Sequence, residues 1–175
     1  MLRSVFSGTW HWQWTARRLQ TLMNWYPPFV GAGVKVVTLA NDFRYAKVQM
    51  PLTWYNRNIV GVHFGGSLYA MCDPVYMLLL MHALNDTNRH GPHEFVVWDQ
   101  AASIQYLQPG RGTVTAEFIL NDALLQRIRT MEPGTKQTLD LGVDVRDEAG
   151  NVVARLVKTE YIRRLRMPLR PNTQS

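Results

Sequence analysis

The sequence predicts an α+β fold in which a curved antiparallel β-sheet wraps around one apolar helix. Residues 67–84 are apolar on nearly every side, and apart from His82 the only side chain expected to carry a charge is Asp73, a pattern typical of a buried helix. Four segments that alternate apolar and polar residues follow this stretch and are separated by short turns. Such strands favour antiparallel pairing, because parallel strands need long crossover connections.

The length and composition indicate one globular domain covering residues 1–175. The chain is 46% hydrophobic and 18% charged, which is typical of a protein with a substantial core. Its one cysteine, Cys72, cannot form an intramolecular disulfide and fits a reducing compartment. Because no secretory signal pattern opens the chain, we expect the protein in the cytoplasm.

The first predicted element is a helix at about residues 10–26. Its apolar positions, among them Leu19 and Met23, recur at helical spacing. Pro27 and Pro28 are expected to end it, because proline disrupts a helix interior. The density of aromatic residues in this segment favours a role in covering the core or a subunit interface.

Strands are predicted on both sides of the apolar helix. Residues 34–39 and 43–50 are rich in β-branched and aromatic residues and predict two short strands or one long bent strand. Beyond a loop at residues 85–92, the alternation of apolar and polar residues predicts strands at residues 95–107, 114–120, 139–145 and 152–162.

Three local features complete the predicted order of elements. The alternation breaks at residues 99–101, which is typical of a β-bulge. A short helix is expected at residues 121–131. The chain then ends in a frayed basic tail from about residue 165 to residue 175.

The strongest functional clue is a carboxylate on the apolar helix. A buried carboxylate is unfavourable unless it is paired, hydrogen-bonded or protonated. Gly65 and Gly66 precede the helix, and free amides near Gly65–Ser67 at a helix start stabilise anions, including the oxyanion formed when a carbonyl is attacked. Asp73 follows Gly66 by seven residues, about two helical turns, and we expect it to share a face with the helix start.

Asp73 and Pro74 also have a purely structural interpretation. Asp is a preferred helix N-cap and Pro a preferred first helical residue, so the pair is typical of a helix that starts here. From these residues alone, the interpretation of Asp73 as a helix cap and its interpretation as a functional carboxylate are equally supported. In either case Pro74 removes a backbone hydrogen bond and predicts a kink. Asp73 and Pro74 also argue against a membrane span at residues 66–84.

The stretch from residue 58 to residue 73 resembles the signature of hotdog-fold thioesterases of the phenylacetate-pathway type. In that signature an Asn precedes a His-Gly-Gly turn, and an acidic residue follows on the central helix. Here Asn58 lies eight residues before Gly66, and Asp73 lies seven after it. The sequence is closer still to a bacterial subfamily of uncharacterised hotdog domains, from about residue 26 to residue 164. It departs at one position, where Phe64 replaces the family's histidine and His63 stands one residue earlier.

The resemblance implies a hotdog fold and an acyl-CoA thioesterase. It also implies a homodimer or a dimer of dimers, with each site built between subunits. The thioester carbonyl is expected against the amides of Gly65 and Gly66. Asp73 is expected to activate water or to attack the carbonyl itself, and Asn58 to orient the water or the thioester oxygen.

The substrate is expected to be the only partner besides other copies of the chain. The substrate-binding candidates are His63, Phe64, Ser67 and Arg111, of which Arg111 supplies a cation for the phosphates of coenzyme A. No cofactor is expected, because coenzyme A enters as part of the substrate, and a carrier-protein thioester is equally open. The alternative function is a non-catalytic module that binds acyl groups or acyl-CoA or serves as an assembly scaffold, which Phe64 favours.

Other classes of function find little support in the sequence. There are 19 Lys and Arg residues against 13 acidic ones, but the basic residues form no stripe with a nucleic-acid-binding motif, so no nucleic acid is expected. The histidines lack the spacing of a metal site, so none is expected. A serine-hydrolase elbow needs glycine two residues after the serine, and the residue two positions after Ser67 is Tyr69.

Overall fold

The computed structural model describes residues 14–85 and 93–169. Within these residues, the strands are β1 (Lys35–Leu39), β2 (Tyr45–Pro51), β3 (His93–Tyr106), β4 (Thr113–Ile119), β5 (Lys136–Arg146) and β6 (Val152–Leu169). They form one antiparallel sheet in the order β1-β2-β4-β5-β6-β3. The sheet curls around a central helix, so the predicted fold class is confirmed.

The described helices are α1 (Ala16–Trp25), α2 (Pro27–Ala32), α3 (Gly65–Ala70), α4 (Val75–Asn85) and α5 (Asp122–Arg129). The Thr15 side chain caps α1 by accepting a hydrogen bond from the Arg18 amide. Residues 10–13 of the first predicted helix lie outside the described residues. α1 ends at Trp25, just before Pro27, as expected. Pro27 also opens the short helix α2, because proline is accommodated in the first turn of a helix.

The central helix breaks at Pro74, as the sequence predicts. A turn at residues 71–74 separates α3 from α4 and contains Asp73. The segment Gly65–Asn85 is long and apolar enough to cross a membrane, but most of it is buried against the sheet. It is therefore the core helix of the fold.

The core lies between the central helix and the inner face of the sheet. Alternate residues of β2 and β4 point inward and are fully or almost fully buried: Ala46, Val48, Met50, Val114, Ala116 and Phe118. From α4, Tyr76 packs edge-on against Phe118 with a centroid distance of 5.0 Å. Its hydroxyl donates a hydrogen bond of 2.8 Å to the Gly142 carbonyl of β5, so α4 has a fixed position on the sheet.

Asn85 fastens the end of α4 to the edge strand β3. Its Oδ1 accepts hydrogen bonds from the amides of Glu94 and Phe95, and its Nδ2 donates to the carbonyls of Met81 and Phe95. The side chain is buried, and the two bonds to Phe95 form away from water. The sequence pattern places Asn85 in a loop, whereas the structure places it at the end of α4; residues 86–92 of that loop lie outside the described residues.

Strand β3 carries the predicted bulge, and the bulge decides which side chains face the core. Its pairing with β6 shifts between Asp99 and Ala101. Asp99 pairs with Glu160 before the shift, and Ala102 pairs with Lys158 after it. Charged side chains of both strands are thereby brought to the inner face.

The C-terminal strand is longer than the sequence predicts. It extends to Leu169, which pairs with His93 at the start of β3. Residues 165–169 of the expected frayed tail therefore belong to β6. Residues 170–175 lie outside the described residues.

Candidate functional site

A groove of about 610 Å³ opens beside the start of α3. Its lining residues are Asn58, Val62, His63, Phe64, Gly65, Leu68, Tyr106, Leu107, Gln108, Pro109 and Gly110. Four of the eight predicted site residues therefore meet here, as expected from their closeness in sequence. The other wall is the end of β3 and the turn that follows it.

The Asn58 side chain holds the turn that leads into α3. Its Oδ1 accepts hydrogen bonds of 3.1 Å from the Val60 amide and 3.2 Å from the Val62 amide. Because this atom accepts hydrogen bonds from two backbone amides, it is the oxygen of the carboxamide and not the nitrogen. The oxygen is occupied by these two bonds, so a ligand in the groove can form a hydrogen bond only with Nδ2 of Asn58, which is a donor. This limits the predicted role of Asn58 to donating to the thioester oxygen or to a water.

His63 is a buried residue that connects the turn to the start of β4. Its Nε2 lies 3.0 Å from the Gly112 carbonyl. A carbonyl only accepts, so Nε2 carries the proton and Nδ1 is an unprotonated acceptor without a partner among the described residues. Burial lowers the pKa of His63, and this effect is larger than the increase caused by the bond to Gly112. The lowered pKa keeps the imidazole neutral.

The two glycines are required by the aromatic rings around them. A Cβ on Gly65 would lie 2.8 Å from the Tyr106 ring, and a Cβ on Gly66 would lie 2.5 Å from the Phe64 ring. Phe64 is the N-cap of α3 but makes no side-chain capping bond. The first amides of the helix thus stand between two aromatic side chains at the edge of the groove.

Ser67 does not contribute the free amide that the sequence predicts. Its amide donates a hydrogen bond of 3.0 Å to the Phe64 carbonyl, because the first turn of α3 is tight. Its side chain is buried and does not line the groove. The amides available for an anion are therefore narrowed to those of Gly65 and Gly66.

Arg111 is exposed in the turn between β3 and β4. It follows Gly110, a lining residue, but its own side chain is not part of the lining. The structure therefore brings Arg111 to the rim of the groove and not into it.

Asp73 lies away from the groove, in the turn between α3 and α4. Its Oδ1 accepts a hydrogen bond of 3.0 Å from Lys158 Nζ. Among the hydrogen bonds of the described residues, the carboxylate accepts from this lysine and not from an amide of α4. The side chain is 46% exposed, so Asp73 is half-buried rather than fully enclosed.

Lys158 is a charged residue on the inner face of β6. Its side chain is 1% exposed, and its Nζ also lies 3.0 Å from Asp99 Oδ1. Burial alone would lower the pKa of Lys158, but hydrogen bonds and charges of Asp99 and Asp73 outweigh it and raise the pKa. The ammonium therefore stays charged between two carboxylates.

Glu160 lies directly behind this ion pair. It is fully buried, and neither carboxyl oxygen has a hydrogen-bond partner among the described residues. Burial, followed by the neighbouring Asp99 carboxyl group, raises the pKa of Glu160 to about 8. A neutral Glu160 can donate its proton to the Asp99 carboxylate, whose Oδ1 lies 3.0 Å from Lys158 Nζ.

Sequence reasoning missed Lys158, Asp99 and Glu160, although one signal was present. In the alternating pattern of β6, the inward positions run Ala154, Leu156, Lys158, Glu160 and Ile162, all buried. Two neighbouring charged residues at core positions of a strand indicate a paired cluster. The identity of their partners still required the register between β6 and β3.

The cations of a second groove are already paired with carboxylates. This groove, of about 890 Å³, lies over β2, β4 and β5, and its cations Lys47, Arg146 and Arg155 are paired with Glu117 and Asp144. Across residues 14–85 and 93–169, no group of three or more His, Cys, Asp or Glu side chains is arranged to hold a metal ion.

A protein-family model described as "Domain of unknown function (DUF4442)" matches residues 15–162. The match covers the whole sheet up to the inner part of β6, and it includes the groove, Asp73 and Lys158. No match was found among proteins with curated functional descriptions.

Several solved structures have the same fold. A protein of unknown function from Pseudomonas aeruginosa, PA5026, described as a probable thioesterase, is 21% identical and has a TM-score of 0.71, with 83% of this chain and 93% of that chain covered. The thioesterase HI1161 from Haemophilus influenzae is 16% identical with a TM-score of 0.61, covering 92% and 96%. A mutant of the thioesterase PA1618 from Pseudomonas aeruginosa is 11% identical with a TM-score of 0.59, covering 84% and 93%. The expected hotdog fold is confirmed.

Proposed function

The chain belongs to the family described as a domain of unknown function (DUF4442), and from this premise we propose that it is a thioesterase-like hydrolase that acts on acyl thioesters. The observation that carries the proposal is the glycine pair at the start of α3. Gly65 lines the groove, Gly66 follows it directly, and both belong to the same helical segment as the Asp73 carboxylate. Support also comes from the thioesterases that share this fold.

The proposed reaction converts a thioester and water into a carboxylic acid and a thiol. The thioester carbonyl is placed against the amides of Gly65 and Gly66, and each well-placed donor stabilises the developing oxyanion by roughly 3–4 kcal/mol. Asp73 takes the proton of the attacking water or attacks the carbonyl carbon itself. Asn58 donates a hydrogen bond from Nδ2 to the thioester or to the water.

We further propose that each site draws on two subunits. Gly66 and Asp73 are separated by ~10 Å along the helical segment of one chain, at 1.5 Å per residue. A general base must approach its proton to about 3 Å, which favours an Asp73 from another subunit over one two helical turns away in the same chain. A homodimer or a dimer of dimers allows Asp73 of one subunit to serve the groove of another.

Exposed apolar residues around the groove support such an interface. Ile59 is completely exposed, and Val60, Phe64, Tyr106 and Leu107 are more than half exposed. Apolar patches of this kind at a concave site favour contact with another protein surface. In an assembly these residues would be buried beside the acyl group.

The proposed substrate is an acyl-CoA or an acyl-carrier thioester, and no cofactor takes part. Coenzyme A enters as part of the substrate, with its phosphates at Arg111 on the rim of the groove. His63 and Phe64 border the space left for the acyl group. The reaction is proposed for the cytoplasm, where thioesters of this kind and a reduced Cys72 coexist.

The proposal is tested by incubating the purified protein with a panel of acyl-CoA thioesters and following thiol release with a chromogenic reagent. Asp73→Asn is compared with the wild type, and Asp122→Asn, at an exposed position of α5, is the matched control. We expect turnover to fall with Asp73→Asn and to persist with Asp122→Asn. Turnover that is unchanged by Asp73→Asn rejects Asp73 as the catalytic group.

A non-catalytic acyl-binding module is the second candidate. It is favoured by Phe64 at the position of the family's histidine and by the engagement of Asp73 with Lys158. Its test is binding of a fluorescent acyl-CoA without release of a thiol. If no member of the thioester panel is hydrolysed while the ligand binds, the binding function replaces the hydrolase.

A further inference from the structure

Two carboxylates contact one buried ammonium at the break of the central helix, and a third, Glu160, lies at the next inward position of the same strand. Lys158 Nζ lies 3.0 Å from Asp73 Oδ1 and 3.0 Å from Asp99 Oδ1. The ring of Tyr69 stands 5.5 Å from the same nitrogen, within reach of a cation–π interaction. Glu160 follows Lys158 at the next inward position of β6. These residues form what we call the Lys158 cluster: Tyr69, Asp73, Asp99, Lys158 and Glu160.

The cluster cannot be explained by charge balance alone. Three ionised carboxylates and one ammonium would leave two excess negative charges around a side chain that is 1% exposed, which is strongly unfavourable in a buried environment. One proton on Glu160 removes half of that excess. It also supplies a hydrogen-bond donor between the fully buried Glu160 and the partly exposed Asp99.

The burial differs sharply within the cluster. Glu160 and Lys158 are buried, whereas the Asp73 side chain is 46% exposed. A half-exposed carboxylate can be solvated by water and does not need a buried lysine for its own stability. The buried lysine needs its carboxylate partners, and its bond to Asp73 in turn restricts the orientations of that carboxylate.

We propose that Lys158 is the positioning residue for Asp73, and that Asp99 together with a protonated Glu160 fixes the Lys158 ammonium in place. The inference rests on the proposed function, because it concerns the carboxylate assigned to that reaction. Tyr69 assists, since its ring lies 5.5 Å from the Lys158 ammonium. A carboxylate offers about four lone-pair sites, so the bond from Lys158 orients Asp73 and leaves room for a water.

Deprotonation of Glu160 would weaken the arrangement. A charged Glu160 competes with Asp73 for the same ammonium, and the burial that raises the pKa of Glu160 to about 8 places this event just above neutral pH. The charged or titratable groups that act on Glu160 are Asp99 from β3, Lys158 from β6, Asp73 from the helix break, and Tyr76 from α4. Of these, Lys158 carries the positive charge.

The test measures kcat, KM and the pH profile with a thioester that the wild type hydrolyses. Lys158→Met is expected to lower kcat about 100-fold, as misplacement of a reacting group does, and to leave KM within about threefold. Lys158→Met added to Asp73→Asn is expected to cause no further loss, because both changes remove the same function. The proposal is overturned if Lys158→Met lowers kcat by the same factor in the Asp73→Asn variant as in the wild type. It is also overturned if Lys158→Met alone leaves kcat at the wild-type value.

Glu160→Gln provides a variant that mimics the protonated side chain. Its kcat near neutral pH is expected to match the wild type, while the decline of wild-type kcat above a pH of about 8 is expected to disappear. An unchanged profile overturns the role of Glu160. If Lys158→Met does not fold, Lys158→Met with Asp99→Asn, which removes both charges of one ion pair, replaces it in the same comparison.

The outcomes separate this inference from the proposed function. A wild type that hydrolyses thioesters and loses activity with Asp73→Asn, but not with Lys158→Met, contradicts only the positioning role. A wild type without thioesterase activity contradicts the function and the positioning role together.

Discussion

Lys158 Nζ donates a hydrogen bond of 3.0 Å to Asp73 Oδ1, joining residues 85 positions apart in the chain. The bond connects the inner face of β6 to the break of the central helix. The carboxylate that the sequence places in an apolar helix is thus neither left unpaired nor used to cap α4. Its partner is a buried lysine, which converts an isolated acidic residue into part of a charged cluster.

Replacement of Asp73 should affect activity far more than stability. Lys158 keeps Asp99 as a partner after Asp73→Asn, so we expect a loss of no more than about 2 kcal/mol in the free energy of unfolding, less than for a buried pair left with one member. The value of kcat should fall by about 10² to 10⁴, the range for loss of a general base. Urea unfolding and thiol-release kinetics measure the two effects. A large loss of stability would indicate a structural carboxylate instead.

A site shared between subunits can be tested by mixing two inactive variants. Asp73→Asn and Gly66→Val, the second of which places a side chain against the Phe64 ring, are unfolded together and refolded as hybrids. Random pairing makes half of the dimers hybrid, with one intact site of two, so about 25% of wild-type activity should return. Each variant refolded alone is the control. Mixtures that stay inactive, although hybrids form, contradict the shared site.

A side chain at Gly65 should displace Tyr106. A Cβ there would lie 2.8 Å from the end of that half-exposed side chain, which must turn aside, so Gly65→Ala should reduce the free energy of unfolding by up to about 1 kcal/mol, less than overpacking of a core. Gly31→Ala in α2 is the matched control, since a Cβ at Gly31 would have nothing within 4 Å. That change should be neutral or stabilising by up to about 1 kcal/mol, as for Gly→Ala in a helix. Thermal unfolding of both variants decides the comparison, and equal effects would contradict it.

Glu160 should make the stability decrease as the pH rises. Its folded pKa of about 8 lies above the ordinary value of 4.5, so between these values the native state holds a proton that the unfolded chain releases. The contribution is fully present below a pH of about 4.5 and is lost as the pH rises through about 8, with a slope of up to about 1.4 kcal/mol per pH unit. Urea unfolding at several pH values should show a flatter dependence for Glu160→Gln. An identical dependence in both proteins would contradict a raised pKa.

Asn85 should be one of the most sensitive positions for stability that lie outside the site. Asn85→Ala leaves the buried amide and carbonyl of Phe95 without their partners, and we expect a loss of about 3 kcal/mol. Asn121→Ala, which removes only an exposed N-cap bond to Leu124, should cost about 1 kcal/mol. Denaturant unfolding should preserve this order, and the reverse order would contradict the assigned role of Asn85.

Some of the site followed from the sequence, and some did not. Asn58, His63, Phe64 and Gly65 lie on one groove because they are close in the chain and a tight turn keeps them together. The free amide expected of Ser67 was incorrect, since the local hydrogen bonding of a first turn depends on geometry that residue types do not specify. Arg111 reaches only the rim of the groove. Residues 108–110 of the turn between β3 and β4 form the wall there, and Arg111 follows them.

By itself, the sequence determined the elements of this protein. Alternation with a period of two marks the strands, the apolar run marks the core helix, and Pro74 marks its break, because each of these depends on local backbone geometry. The tertiary structure alone decided the chemistry around Asp73. The register of β6 against β3 sets Lys158 and Glu160 beside Asp99, and pairing between distant strands is invisible to any local pattern. A charge in a core is stable only with its partners, and here the fold, not the neighbouring sequence, supplies them.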